Sequence, residues 1–253
     1  MSTSRPSRTC GSRTRRTARS SGSRPGGCCR RTTGRASSTE AAPGWAWSDG
    51  RMTALIVTAH PDPDSLTHEV ARRLEAALGA SDGPGASRVT TAHLAQEGFD
   101  PVFGMADRAA YAGGSPAPAD VVAEQARLDA VVHVVLVFPV WWWSMPALLK
   151  GWIDRTFIGG WAFDIDDDGR VHTHLERLTV HLLPVAGFGP ESFARHGYLS
   201  AFQTQIGHGI LDYCGARHGA LAFVHDSESG DRDAVGAEVE RAVAEVVAAV
   251  GAA

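Results

Sequence analysis

The run Val131–Phe138 (VVHVVLVF) constrains the fold of this chain more than any other segment. Continuous branched aliphatics without polar alternation suit a central parallel strand covered on both faces. Parallel strands need crossover connections, and the flanking sequence supplies helical ones. Ala54–Thr58 (ALIVT) reads as a short buried strand, and Thr67–Leu78 follows with Val70, Leu74, Ala77 and Leu78 on one helical face. Arg88–His93 is a second strand, set between Gly79–Ser87 and Gly98–Pro118, whose Gly, Pro and Ala content reads as loops. Ala119–Ala130 is a helix that leads into the central strand. Met145–Phe157 is the next helix, with Ser144 as its cap and Pro146 in its first turn. Arg177–Val185 is the fourth strand, its ladder ending at Pro184. Glu191–Cys214 is largely helical, Ala220–Val224 is the fifth strand, and Asp231–Val250 is a closing helix. This alternation specifies an α/β doubly wound, five-stranded parallel sheet with helices on both faces. The expected strand order is 2-1-3-4-5, which puts a ligand crevice at the carboxyl ends of strands one and three.

Composition divides the chain near Met52. Residues 1–51 hold eleven Arg against Glu40 and Asp49, while the remainder is acidic enough to bring the whole chain to −4. A Ser/Arg/Thr/Gly segment with almost no aliphatic side chains cannot offset its ordering entropy, so residues 1–51 read as a disordered extension, or as an over-extended start. The globular domain is expected over residues 52–253. Its acidic balance argues against a nucleic-acid partner. No apolar run approaches the roughly 20 residues of a membrane span, so membrane insertion is not expected. Cys214 is the one cysteine of the body, which fits a reducing cytoplasm.

The two loops at the predicted crevice are unusual. Ala59–Thr67 (AHPDPDSLT) offers His60, Ser65 and Thr67 beside a helix N-terminus, where hydroxyls and free backbone N–H groups make a phosphate site. A plain strand-to-helix turn capped by Ser65 or Thr67 reads equally well from this loop alone. Phe138–Pro146 (FPVWWWSMP) carries three consecutive tryptophans, which cannot all face one core. They point to a flat ring held by stacking and backbone amides, with core filling or a dimer contact as the alternative.

Residues 54–67 and, above all, Phe138–Phe163 (FPVWWWSMPALLKGWIDRTFIGGWAF) resemble the flavodoxin-like NAD(P)H:quinone oxidoreductase family, which includes DT-diaphorase and modulators of drug activity. The resemblance runs from Thr53 to the C-terminal helix. It implies a flavodoxin-like fold, noncovalent FAD (FMN in some members), NAD(P)H as hydride donor, and two-electron ping-pong reduction of a quinone-like acceptor by a homodimer. It also implies that His60, Ser65, Leu66 and Thr67 hold the flavin phosphates and neighbouring groups. Pro139, Val140, Trp141, Trp142 and Trp143 would pack on the isoalloxazine and donate amides to it. A third loop, Val185–Gly189, would bring Ala186, Gly187 and Gly189 close to the ring. Many relatives have Phe-Asn at Leu66-Thr67 and Thr-Thr-Gly-Gly at Val185–Phe188. His196 matches a histidine of the family's charge relay, whereas Phe193 stands where mammalian members have Tyr. Trp161, Phe163 and Phe193 are the implied acceptor-binding residues, Trp161 and Phe163 acting across the dimer.

Other motifs in the chain have different readings. Ala59-His60-Pro61-Asp62-Pro63-Asp64 is similar to the opening of zinc-dependent N-deacetylases, but Pro63 interrupts the acidic pair such a site requires. Asp164–Gly169 has the composition of a calcium loop without the flanking helices or terminal Glu, and reads as a solvated turn. His172 and His174 carry no metal assignment. A redox carrier or a regulatory reductase-like subunit of a transporter is the non-enzymatic alternative.

Overall fold

The computed structural model describes residues 53–80 and 88–252. The extension expected over residues 1–51 lies outside the described residues. The first strand, β1 (Thr53–Thr58), leads into α1 (Leu66–Gly79), β2 (Arg88–His93), α2 (Met105–Tyr111) and α3 (Ala119–Asp129). Next come β3 (His133–Pro139), α4 (Ala147–Thr156), β4 (Phe163–Ile165), β5 (Val171–Thr173) and β6 (Thr179–Val185). The chain then runs through α5 (Pro190–His196), α6 (Tyr198–Phe202), a π-helical continuation (Gln203–Asp212), β7 (Arg217–Leu221) and α7 (Arg232–Gly251).

Five strands form one parallel sheet in the order β2-β1-β3-β6-β7. This is the expected winding once β4 and β5, an antiparallel hairpin outside the main sheet, are set aside. The period-two alternation of each strand divides the core. Leu55, Val57, Val134, Leu136 and Phe138 face α3, α4, α6 and the π-helical segment through Leu128, Leu149, Trp152, Phe202 and Ile206. Ile56, Val135, Val137 and Leu183 face α1 and α7 through Val70, Leu74, Val239, Val243 and Val246. All seven residues of β3 are buried, as its uninterrupted aliphatic run required.

Five local expectations need correction, the first being the fifth strand, expected at Ala220–Val224 and found at Arg217–Leu221. The segment Gly98–Pro118, expected as loop, contains α2 and is anchored from a distance. Buried Arg155 of α4 donates to Asp107 at 2.8 Å, to Asp120 at 2.6 Å and to the Asp100 carbonyl at 2.6 Å. Ser144 does not cap α4; its N–H and carbonyl pair with Trp141, and the helix begins after Pro146. Pro184 does not end its ladder, because β6 continues to Val185. The Pro184 carbonyl accepts from Val224, so its missing N–H faces the side where β7 has already ended at Leu221. The β4–β5 hairpin was not anticipated. Its strands are three residues long, and its turn is closed by Asp166, whose carboxylate accepts from the Asp168 and Arg170 amides.

Candidate cofactor site at the carboxyl edge of the sheet

Three loops leave the carboxyl ends of β1, β3 and β6 side by side. The first is fixed from beneath. The His60 carbonyl accepts from His68 Nε2 at 3.1 Å and from Gln96 Nε2 at 3.4 Å. Beside them Thr58 Oγ1 pairs with His93 Nδ1 at 2.8 Å, and burial, with His68 nearby, holds His93 below the usual imidazole range. Ser65 caps α1 by accepting the His68 N–H at 3.4 Å. Among the described residues, no acceptor meets the backbone N–H of Leu66 or Thr67. The capping reading of this loop holds, and the first two N–H groups of the helix are left without a protein acceptor among the described residues.

The second loop is a two-residue turn. Trp141 and Ser144 exchange backbone hydrogen bonds of 3.1 and 3.2 Å, and between them Trp142 (φ 51°) and Trp143 (φ 63°) are both left-handed. Two positive-φ residues in a closed turn make it type I′, a geometry that normally selects Asn or Gly. Bulky L-residues there are strained. Their side chains part company. Trp142 is 94% exposed, whereas Trp143 is half-buried and stacks on Tyr198 with ring centroids 3.8 Å apart at 13°. Trp141 meets the His60 ring edge-on at 5.9 Å, joining the first loop to the second.

The third loop is tied to the second by the Val140 N–H, which donates to the Val185 carbonyl at 2.8 Å. Ala186 is buried. A Cβ on Gly187 would meet the Glu228 carboxyl group at 3.0 Å, and one on Gly189 would meet the Asp226 carboxylate at 2.9 Å. Both glycines thus lie against carboxylates of a segment that sequence reading missed, side chains that a larger residue would have to displace. Residues 225–232 form a fourth wall, joined to the third loop by Ser227 N–H to the Ala186 carbonyl and by His225 Nδ1 against the Phe188 carbonyl. Between this wall and α1 lies a cleft of about 460 Å³ lined by Leu66, Arg73, Ser227, Glu228, Asp231 and Arg232. The only local signal for it was a Ser/Gly/Asp-rich stretch preceding a helix.

The remaining candidates separate. His196, the exposed last residue of α5, lies 5.4 Å from the Tyr198 ring. Phe193 is 2% exposed and packed against Trp143, Phe223 and His225, so it presents no open face to a ligand. Trp161 and Phe163 are not brought to the three loops within one chain. Trp161 Nε1 donates to Asp129, which precedes the amino end of β3, and Phe163 packs edge-on against Tyr213, which precedes β7. They stand at the opposite edge of the sheet. In the first loop, the Asp62 amide donates to His60 Nδ1 and the Asp64 amide to Asp62 Oδ1, so the side chains a zinc site would need are engaged in their own turn. Cys214 is buried, and burial pushes its thiol up to about 11.

The family profile described as flavodoxin-like fold matches residues 52–248. The chain is similar to NAD(P)H dehydrogenase [quinone] 1 of Rattus norvegicus, 29% identical over 181 residues, covering 64% of each chain. It is 31% identical over 186 residues to the ribosyldihydronicotinamide dehydrogenase-like protein traD of Penicillium crustosum, covering 65% of this chain and 69% of that one. The first curated relatives are matched over about half to two thirds of their own length. Among solved structures, the NAD(P)H:quinone oxidoreductase from Methanothermobacter marburgensis superposes with a TM-score of 0.69 at 23% identity, covering 77% of this chain and 96% of that one. That likeness speaks for the fold.

Proposed function

The chain belongs to the flavodoxin-like fold family that includes the NAD(P)H:quinone oxidoreductases, and on that premise we propose that it is a flavin-dependent NAD(P)H oxidoreductase acting on a quinone or similar flat aromatic acceptor in the cytoplasm. The observation that carries this reading is the strained Trp142-Trp143 turn, which holds an indole in solvent at the carboxyl end of β3. Strain of this kind is retained where a ligand uses it.

Bound flavin supplies the two-electron exchange between nicotinamide and acceptor. The protein's part is to bind and orient. The Leu66 and Thr67 amides, with Ser65, would hold phosphate at the positive end of α1. Val140 to Trp143 and Ala186 to Gly189 would border the ring, with Gly187 and Gly189 allowing close approach. The cleft between Leu66 and Arg232 has room for an adenosine beyond the phosphates, which favours FAD over FMN. His196 is exposed near that edge and suits proton exchange with the acceptor.

A homodimer is part of the proposal. Trp161, Phe163 and the exposed Ile165 lie at the far edge of the sheet, so they can line an acceptor slot only of a second copy. Residues 1–51 are proposed to be dispensable for this activity.

The experiment is to purify the chain, identify any flavin released on denaturation, and follow NADH and NADPH oxidation with a naphthoquinone. Steady turnover that needs flavin and saturates with acceptor is expected. Protein that neither retains nor takes up flavin refutes the reading. Flavin binding without turnover would favour the redox-carrier alternative. Light scattering should give twice the 26.8 kDa chain mass, and a fully active monomer would dispose of the dimer.

A further inference from the structure

We infer that Tyr198 is a positioning residue for the cofactor edge: its ring, lying flat on Trp143, holds the Trp142-Trp143 turn in its left-handed conformation. This rests on the flavin site proposed above, and it assigns Trp143 a different role from Trp142. The two tryptophans share a backbone geometry that neither favours. Trp142 is 94% exposed, so of the two left-handed residues only Trp143 has side-chain packing that can hold the turn its flanking backbone hydrogen bonds close. Its contacts answer to that. One indole face is covered by Tyr198 at 3.8 Å, while Phe193 meets it at 5.6 Å and Phe188 at 5.5 Å. With that face already taken by Tyr198, the indole acts mainly as a keystone.

Tyr198 can reach this position because the helix breaks. Gly197 at φ 71° ends α5 and starts α6, and a residue with a Cβ would be strained there. The break turns the chain so that Tyr198, the first residue of α6, faces the tryptophan turn. Phe188 belongs to the third loop, so the same cluster couples the second loop to the third. The Tyr198 hydroxyl makes no hydrogen bond among the described residues. The ring does the positioning, and phenylalanine should replace it without loss.

The test compares Tyr198→Phe, Tyr198→Leu and Tyr198→Ala in the full chain. Hydrogen exchange at the Trp141 and Ser144 amides reads the turn without any ligand, and flavin titration reads the site. A stacked aromatic pair accounts for up to roughly tenfold in an equilibrium, so loss of the ring should speed exchange at both amides and weaken flavin binding by about that factor. Tyr198→Phe should behave as the parent in both measurements, which a hydroxyl-dependent role would not allow. Should Tyr198→Ala fail to fold, Tyr198→Leu, which keeps bulk without stacking, carries the comparison. Unchanged exchange in the Leu and Ala variants overturns the inference, and so does faster exchange in Tyr198→Phe. A parent protein that binds no flavin would sink the proposed function instead, and exchange alone would then decide the role of Tyr198.

Discussion

Replacing Trp142 by glycine separates the cost of the turn from the use of its side chain. A left-handed L-residue costs about 1–2 kcal/mol, and glycine removes that cost. Glycine's greater freedom in the unfolded chain takes back about 0.5–1 kcal/mol. At 94% exposure the indole contributes almost no burial that could be lost. Trp142→Gly should therefore be neutral to about 1 kcal/mol more stable. At Trp143 the backbone gain is the same, but a half-buried indole and its stack on Tyr198 disappear. Full truncation of a buried aromatic costs roughly 3–5 kcal/mol, and half of that still outweighs the relief, leaving a net loss of about 1–2 kcal/mol. In a domain of this size 1 kcal/mol moves Tm by about 2–4 °C. Thermal melts of the two flavin-free variants should thus shift in opposite directions, or show one unchanged and one lowered. Flavin or acceptor affinity should fall in Trp142→Gly, by up to roughly tenfold for a lost aromatic contact. A Trp142→Gly protein destabilised as much as Trp143→Gly would refute the strain argument. One that is more stable and binds flavin and acceptor unchanged would show that the exposed indole serves no ligand.

Three further outcomes follow from the same structure. His181 is fully buried against His133 at 3.0 Å, and burial, reinforced by His133, pushes it down to about 4. Between that value and the roughly 6.5 of a free imidazole only the unfolded chain takes up the proton, so stability is intact above about pH 6.5 and falls by about 3 kcal/mol as pH drops to about 4; a His181 ring found protonated by NMR at pH 5.5 would contradict this. Arg155→Met leaves buried Asp107 without its partner and should cost about 3–5 kcal/mol in urea unfolding, whereas a loss under about 1 kcal/mol would mean that the pair is not closed in solution. Gly236 of α7 lines the 460 Å³ cleft and has open space at its Cβ, so Gly236→Phe should fold, lose FAD affinity and keep FMN affinity; equal effects on both flavins would remove the adenosine assignment.

The winding of the sheet was legible because each main strand carries its own hydrophobic run. β3 could be buried on both faces only in a parallel sheet, and Val70 and Leu74 could meet a core only as one face of a helix. The tryptophan loop was likewise visible as residues out of place for a plain connection, whereas the third loop was marked only by the family resemblance. What local sequence could not carry was everything set by partners far along the chain. Helix α2 sits in a Gly/Pro-rich stretch because Arg155, 48 positions beyond Asp107, grips that carboxylate and the Asp100 carbonyl. Gly187 and Gly189 lie against the carboxylates of Glu228 and Asp226, some forty residues away in sequence. Nothing in Trp-Trp-Trp announces positive φ, since tryptophan has no local preference for it; packing by Tyr198 and Phe193 selects that backbone. Sequence alone determined the strands of the main sheet and the helices that cover it, because hydrophobic period is a local property. Tertiary structure decided which tryptophan is exposed, which is locked, and that Trp161 and Phe163 stand at the other edge, because those outcomes depend on contacts formed only once the sheet is assembled.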